Sequence, residues 1–132
     1  MSDFSQLIDI CSAAVADGAG TSIDVSQYSK IFLQLGSAAS GGASSLVVNF
    51  VGSASNSAPA FASARSVSNN FEYIDVIDLQ DGASIDGDTG ITFAGEDFRN
   101  LEINVGGLHW INAVISSYAS GALTLKVLGK TY

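Results

Sequence analysis

Five aspartates crowd one short stretch, Asp75, Asp78, Asp81, Asp86 and Asp88, and carboxylates at that density could hold calcium. Calcium takes about six to eight oxygens, and the segment from Asp81 to Asp88 has carboxylates and backbone carbonyls to offer together. The spacing, however, fits neither the helix–loop–helix calcium loop nor the glycine repeat of calcium-binding parallel β-helices. Aspartate also favours turns for its own local hydrogen bonds. Solvated turn acids are therefore expected here, with a structural cation as the alternative. Glycoside hydrolysis would need two carboxyls about 5–9 Å apart across a cleft, and an acidic chain offers such pairs by chance.

Other reactive side chains are few. His109 stands between Leu108 and Trp110 at the start of a strand pattern. The serines around it are turn serines, and no strand–turn–helix nucleophile elbow is present. An ordinary strand residue is expected. One histidine and one cysteine exclude a multi-histidine zinc site, a cysteine-rich metal site and an intrachain disulfide framework. Cys11 has no base or cation near it in sequence, so a buried small hydrophobe is expected rather than a reactive thiol. No metal, cofactor or catalytic set can be assembled, and the chain is not expected to be an enzyme. Trp110, Phe32, Phe61, Tyr28 and Tyr73 could stack on sugar rings or bury themselves against another protein if they stand on a solvent face. Trp110 is expected to fill the core, and Phe32 is the best exposed candidate.

The elements that would position these residues follow from periodicity. Phe4, Leu7, Ile8, Cys11, Ala14 and Val15 recur at three- and four-residue spacing, which predicts an amphipathic helix. Asp3 with Gln6 reads as its capping box, and Gly18 and Gly20 as its stop. Such a short helix needs a partner for its stripe. From Thr21 onward the period is two. Ile31, Leu33 and Leu35 point opposite Phe32 and Gln34; Leu46, Val48 and Phe50 point opposite Val47, Asn49 and Val51. Apolar residues on both sides of this second strand predict cover on both faces. Over Phe71–Leu79 a face switch between Val76 and Ile77 suggests a bulge or a corner between sheets. Leu101, Ile103 and Val105 alternate with Asn100, Glu102 and Asn104. Trp110 and Val114 oppose Ala113 and Ile115, and Tyr118–Gly121 reverses the chain into Leu123, Leu125 and Val127. Glycine-rich connections separate these runs. The prediction is an all-β, antiparallel β-sandwich of about seven or eight strands, with an N-terminal helical segment over 1–20 and a β-sandwich domain over 21–132.

Composition bounds the partners. Five basic residues face thirteen acidic ones, for a net charge of -8, and that balance repels a phosphate backbone. No apolar run approaches the roughly 18 residues of a membrane helix. Met1–Asp3 does not open a signal peptide, so the chain is expected to act where it is made. Only 14% of residues are charged, against about 25% in an average soluble domain. A surface so poor in charge suits partial cover by neighbouring molecules.

The stretch from Val105 to Leu125, VGGLHWINAVISSYASGALTL, resembles the closing double strand of small jelly-roll-like β-sandwich modules of tailed-phage virion proteins. Ile23–Tyr28 followed by Ile31–Leu35 resembles their opening strand pair, and VVNFVGS over Val47–Ser53 their central strand. Two departures stand out. Asn112 occupies a position where such modules often carry arginine, and Ser53–Pro59 lacks their Asp-Gly and tryptophan. The resemblance implies a jelly-roll-like fold, no catalysis, and a capsid decoration protein or a tail or fibre component located in the virion and made in the host cytoplasm. Its implied partners are major capsid or tail subunits and further copies of itself in a symmetric oligomer, with a host glycan as another ligand; a carbohydrate-binding module is the alternative function. The interface candidates are Phe4, Leu7 and Ile8 on the helix stripe, Phe32 and Val47 on outward strand positions, and Tyr132, whose place at the chain end suggests packing.

Overall fold

The computed structural model describes residues 8–14, 17–38, 45–61, 70–93 and 97–130. Among these the chain forms twelve strands. They are β1 (Ile8–Ala14), β2 (Gly18–Ala19), β3 (Ile23–Asp24), β4 (Lys30–Ala38), β5 (Ser45–Ser53), β6 (Glu72–Tyr73), β7 (Val76–Asp78), β8 (Ser84–Ile85), β9 (Ile91–Phe93), β10 (Asp97–Asn104), β11 (Trp110–Ser120) and β12 (Ala122–Lys130). They build two antiparallel sheets. Sheet A runs β1-β12-β4-β10-β7-β8; sheet B runs β2-β11-β5-β6, with β3 also on β11 and β9 also on β5.

The core lies between the sheets, as the alternating patterns require. Sheet A contributes Ile31, Leu33, Leu35, Val76, Leu101 and Ile103, and sheet B contributes Leu46, Val48, Phe50, Ile111, Ala113 and Ile115. Each set is spaced by two, so one face of each strand enters the interior and the other turns outward. Burying a leucine- or isoleucine-sized side chain in this way stabilises by about 1.5–3 kcal/mol.

The helix expected at the N-terminus is corrected by the residues the structure describes. Ile8–Ala14 is strand β1, paired antiparallel to β12 through Ile8↔Val127, Asp9↔Lys126, Cys11↔Leu125 and Ala14↔Leu123. The ladder shifts register between Asp9 and Cys11 and again between Cys11 and Ala14. A bulge adds a residue to one strand, so strict alternation fails and residues three apart come to share a face. That imitates a helical stripe: Ile10 and Cys11 are neighbours in sequence and both are buried. Pairing along β12 gives the backbone of Ile8–Ala14 its ladder and sets Ile10 and Cys11 in the core.

The corner expected between Val76 and Ile77 lies two residues earlier, and Val76–Asp78 is one alternating strand. β6 belongs to sheet B and β7 to sheet A, so the chain changes sheets across Ile74 and Asp75. The reversal at Tyr118–Gly121 does more than reverse. Gly121 (φ 98°) links β11 in sheet B to β12 in sheet A, and the Tyr118 hydroxyl donates to the Gly121 carbonyl at 2.7 Å. Gly90 is another enforced glycine. Its φ is 69°, and a Cβ there would collide with the Val48 carbonyl and the Asn49 side chain.

Candidate functional site

The acidic stretch is absorbed by turns. Asp78 Oδ1 accepts from the Gln80 amide (2.9 Å), Asp81 Oδ1 from Ala83 (2.9 Å) and Asp86 Oδ1 from Asp88 (3.0 Å). Asp75 reaches further, accepting from the Gly87 amide at 2.7 Å, which holds the next turn against the corner between the sheets. These are the local hydrogen bonds that make aspartate a turn residue. Cys11 is buried, and that burial pushes its thiol pKa up, away from the reactive thiolate.

His109 Nε2 lies 3.4 Å from Asp24 Oδ2, and its ring stacks on Trp110 with centroids 5.0 Å apart. Asp24 is held below the usual carboxylate range, first by the Ser26 hydroxyl, then by the Ser26 amide, with the nearby His109 adding to them. The backbone also ties His109 in place: its amide donates to Ser53 and its carbonyl accepts from Val25, both at 2.8 Å. The residue is a structural joint between β3, β5 and β11.

Sheet B's outward face is covered by the chain itself. Val51 and Val114 form a second cluster with Phe61 and Phe71, and Tyr73 and Trp110 pack against it. The rings of Phe61 and Phe71 meet at 5.3 Å in a tilted arrangement. This is the two-sided cover that the apolar pattern of β5 predicts. It also corrects the expectation for Trp110, which lies in the outer layer rather than the central core and is only partly buried. Its indole Nε1 has no hydrogen-bond partner among the described residues.

Three buried polar side chains fasten the covering segments. Asn49 donates to the Gly87 and Asp88 carbonyls (2.8 and 3.1 Å) and accepts from the Ser116 hydroxyl (2.6 Å). Ser53 donates to the Asn70 carbonyl at 2.6 Å. Asn112 donates to the Gly20 carbonyl (2.9 Å) and the Ser22 hydroxyl (3.2 Å). Loops laid over a sheet bring backbone polar groups with them, and these amides and hydroxyls satisfy some of those groups.

Sheet A's outward face is finished differently. Ile31, Leu33 and Leu35 point into the core, so Phe32 and Gln34 point out; Leu101 and Ile103 point in, so Phe98, Asn100, Glu102 and Asn104 point out. Register places Glu102 between Phe32 and Ile77. Lys30 makes an ion pair with Glu102 at 3.3 Å. Phe98 is 60% exposed and Leu79 45% exposed, the two large hydrophobics that stand out to solvent among the described residues. On the inward side of β10, Arg99 bridges Asp78 (3.1 Å) and Asp97 (3.2 Å), with its guanidinium 5.8 Å from the centroid of the Phe93 ring.

The sequence-derived interface candidates therefore separate. Phe32 is half-buried on the outer face of sheet A. Val47 is half-buried on the outer face of sheet B, in register with Thr92 and Ser117. Ile8 lies in β1 at the edge of sheet A, and Phe4, Leu7 and Tyr132 lie outside the described residues. The residues that sequence reading missed are Phe98 and Leu79. Phe98 was within reach, because continuing the outward series Asn104, Glu102, Asn100 back by two positions arrives at it.

Among the described residues, these features define an antiparallel two-sheet β-sandwich with one outer face largely covered by its own loops and the other displaying exposed side chains. No protein-family model matches the chain, and no curated protein matches it. Among solved structures, the crystal structure of the SPBc2 prophage-derived protein YomS is similar, with a TM-score of 0.68 and 12% sequence identity. The likeness covers 98% of this chain and 95% of that one, and at such low identity it is a likeness of fold.

Proposed function

We propose that this chain is a structural protein of a bacteriophage-related particle, working through protein–protein contact, with decoration of the assembled capsid as the leading assignment. The observation that carries the reading is the open outer face of sheet A, where Phe98 and Leu79 stand exposed while the opposite face is closed by loops. Exposed large hydrophobics grouped on a face commonly mark a contact surface. The fold shared with a prophage-derived protein supports the phage setting, and the low share of charged residues supports life among neighbours. The repeated passage of the chain between sheets supports a jelly-roll-like wrap. The partners in this reading are major capsid or tail subunits and further copies of the chain in a symmetric oligomer; its place is the virion, after synthesis in the host cytoplasm. A tail or fibre component is the other station on the particle. The carbohydrate-binding alternative draws less support, since Trp110, its natural stacking platform, is packed against the Phe61–Phe71 layer.

Electron microscopy and protein composition of particles made with and without this chain test the proposal. The expected result is stoichiometric presence, lost on Phe98→Ser with Leu79→Ser. A monomer absent from particles overturns it.

A further inference from the structure

The chain contains the Asp–Gly steps Asp17–Gly18, Asp81–Gly82 and Asp86–Gly87, and such a step can rearrange covalently without an enzyme. The glycine nitrogen attacks Cγ of the protonated aspartate carboxyl. A C–N bond forms, the carboxyl hydroxyl leaves with the amide proton as water, and a cyclic succinimide results. Water then adds back at either succinimide carbonyl. Opening at the side-chain carbonyl restores aspartate; opening at the α-carbonyl gives isoaspartate, whose backbone runs through the former side chain. Ring closure is easiest where the following residue lacks a Cβ and its peptide is free to turn. We propose that the folded chain isomerises at Asp81–Gly82 and protects Asp86–Gly87.

These two steps are alike in everything but the hold on the glycine. Both aspartates are exposed, and each accepts through Oδ1 from the amide two residues on, that of Ala83 (2.9 Å) and that of Asp88 (3.0 Å). Gly82 is exposed, with φ 75° and open space where a Cβ would stand; its amide donates to the Asp78 carbonyl at 2.8 Å. Gly87 is buried. Its amide donates to the Asp75 carboxylate (2.7 Å), its carbonyl accepts from Asn49 (2.8 Å), and a Cβ there would stand 2.7 Å from the Ile74 carbonyl oxygen. Bringing the Gly87 nitrogen to Asp86 Cγ therefore releases Asp75 and drags a residue that Asn49 and Ile74 hold. Bringing the Gly82 nitrogen to Asp81 Cγ releases a bond at the surface, where local opening is easy. Gly18 stands in a different setting, the ladder between β2 and β11 opposite Ile115. Isoaspartate at residue 81 would insert a methylene into the backbone of the β7–β8 turn, which the Asp78 amide closes on the Ala83 carbonyl at 2.9 Å. The lesion thus falls on the edge of sheet A.

The test is to hold the full chain for several weeks at mildly acidic pH and body temperature, natively and in guanidinium chloride. Peptide mapping with electron-transfer fragmentation then separates isoaspartate from aspartate at each step. In the folded chain, isoaspartate should build up about tenfold faster at residue 81 than at residue 86, as suits one further hydrogen bond to a charged group that must be released. In guanidinium chloride the two rates should converge. Asp75→Ala should raise the rate at residue 86 several-fold and leave that at residue 81 unchanged. Equal rates in the folded chain, a faster rate at residue 86, or a preference for residue 81 that persists on unfolding would overturn the proposal.

Discussion

β5 and β11 turn Ser53, Val51, Asn49, Val114 and Asn112 to the outside of sheet B, and all five are buried. β4 and β10 turn Phe32, Gln34, Phe98, Asn100, Glu102 and Asn104 to the outside of sheet A, and none of the six is buried. Both sheets have the same alternating inner face, so the contrast arises outside the core. Sheet B is closed by segments that reach it from far along the chain and are held by amide and hydroxyl clamps. Sheet A keeps a mixed surface with two large apolar side chains on display. A single chain can therefore treat one side of a sandwich as interior and leave exposed side chains on the other.

The contrast would break most visibly at Val114. Val114→Asp places an unpaired charge beneath Phe61 and Phe71 and should cost about 4 kcal/mol in urea denaturation; a near-neutral result would mean that the outer layer of sheet B is not a true interior. Next in size is Asn112→Ala, which strips a donor from the Gly20 carbonyl and the Ser22 hydroxyl. It should cost about 2 kcal/mol and raise amide exchange along residues 18–24.

Far smaller is the effect expected on the open side. Phe98→Ser should change stability by no more than about 0.5 kcal/mol, measured by the same denaturation. A loss as large as that of Val114→Asp would show that Phe98 is part of the fold rather than a contact residue. The smallest effect belongs to Asp24. Its carboxyl pKa is lowered in the folded chain, so its contribution is complete above about pH 4, the ordinary carboxylate range, and is lost as pH falls through the folded value. Asp24→Asn should flatten that part of the stability–pH curve slightly, the carboxylate being exposed to solvent screening.

Much of this architecture was readable in advance. The inner rows Ile31–Leu35, Leu46–Phe50, Leu101–Val105 and Ala113–Ile115 were all visible as alternation, and the two-sided pattern of β5 already demanded a second cover. What covers it was not readable, because the clamps join residues distant in sequence: Asn49 to Gly87 and Asn112 to Gly20. Local pattern carries no information about such pairings. The N-terminal segment misled for a different reason, its bulges giving a strand the spacing of a helix. The open site was half legible: Phe32 followed from β4, whereas Phe98 lay one step beyond the outward series read from Asn100 to Asn104.

The ladder between β1 and β12 has a kinetic meaning as well. Ile8 finds its partner at Val127, so a chain leaving the ribosome must hold β1 unzipped until β12 has emerged. Closure of such a long loop is slow. Completion of sheet A's outer edge is thus expected to be a late event in maturation, and a product cut short before Ala122 would carry β1 as an orphan strand available for misassembly.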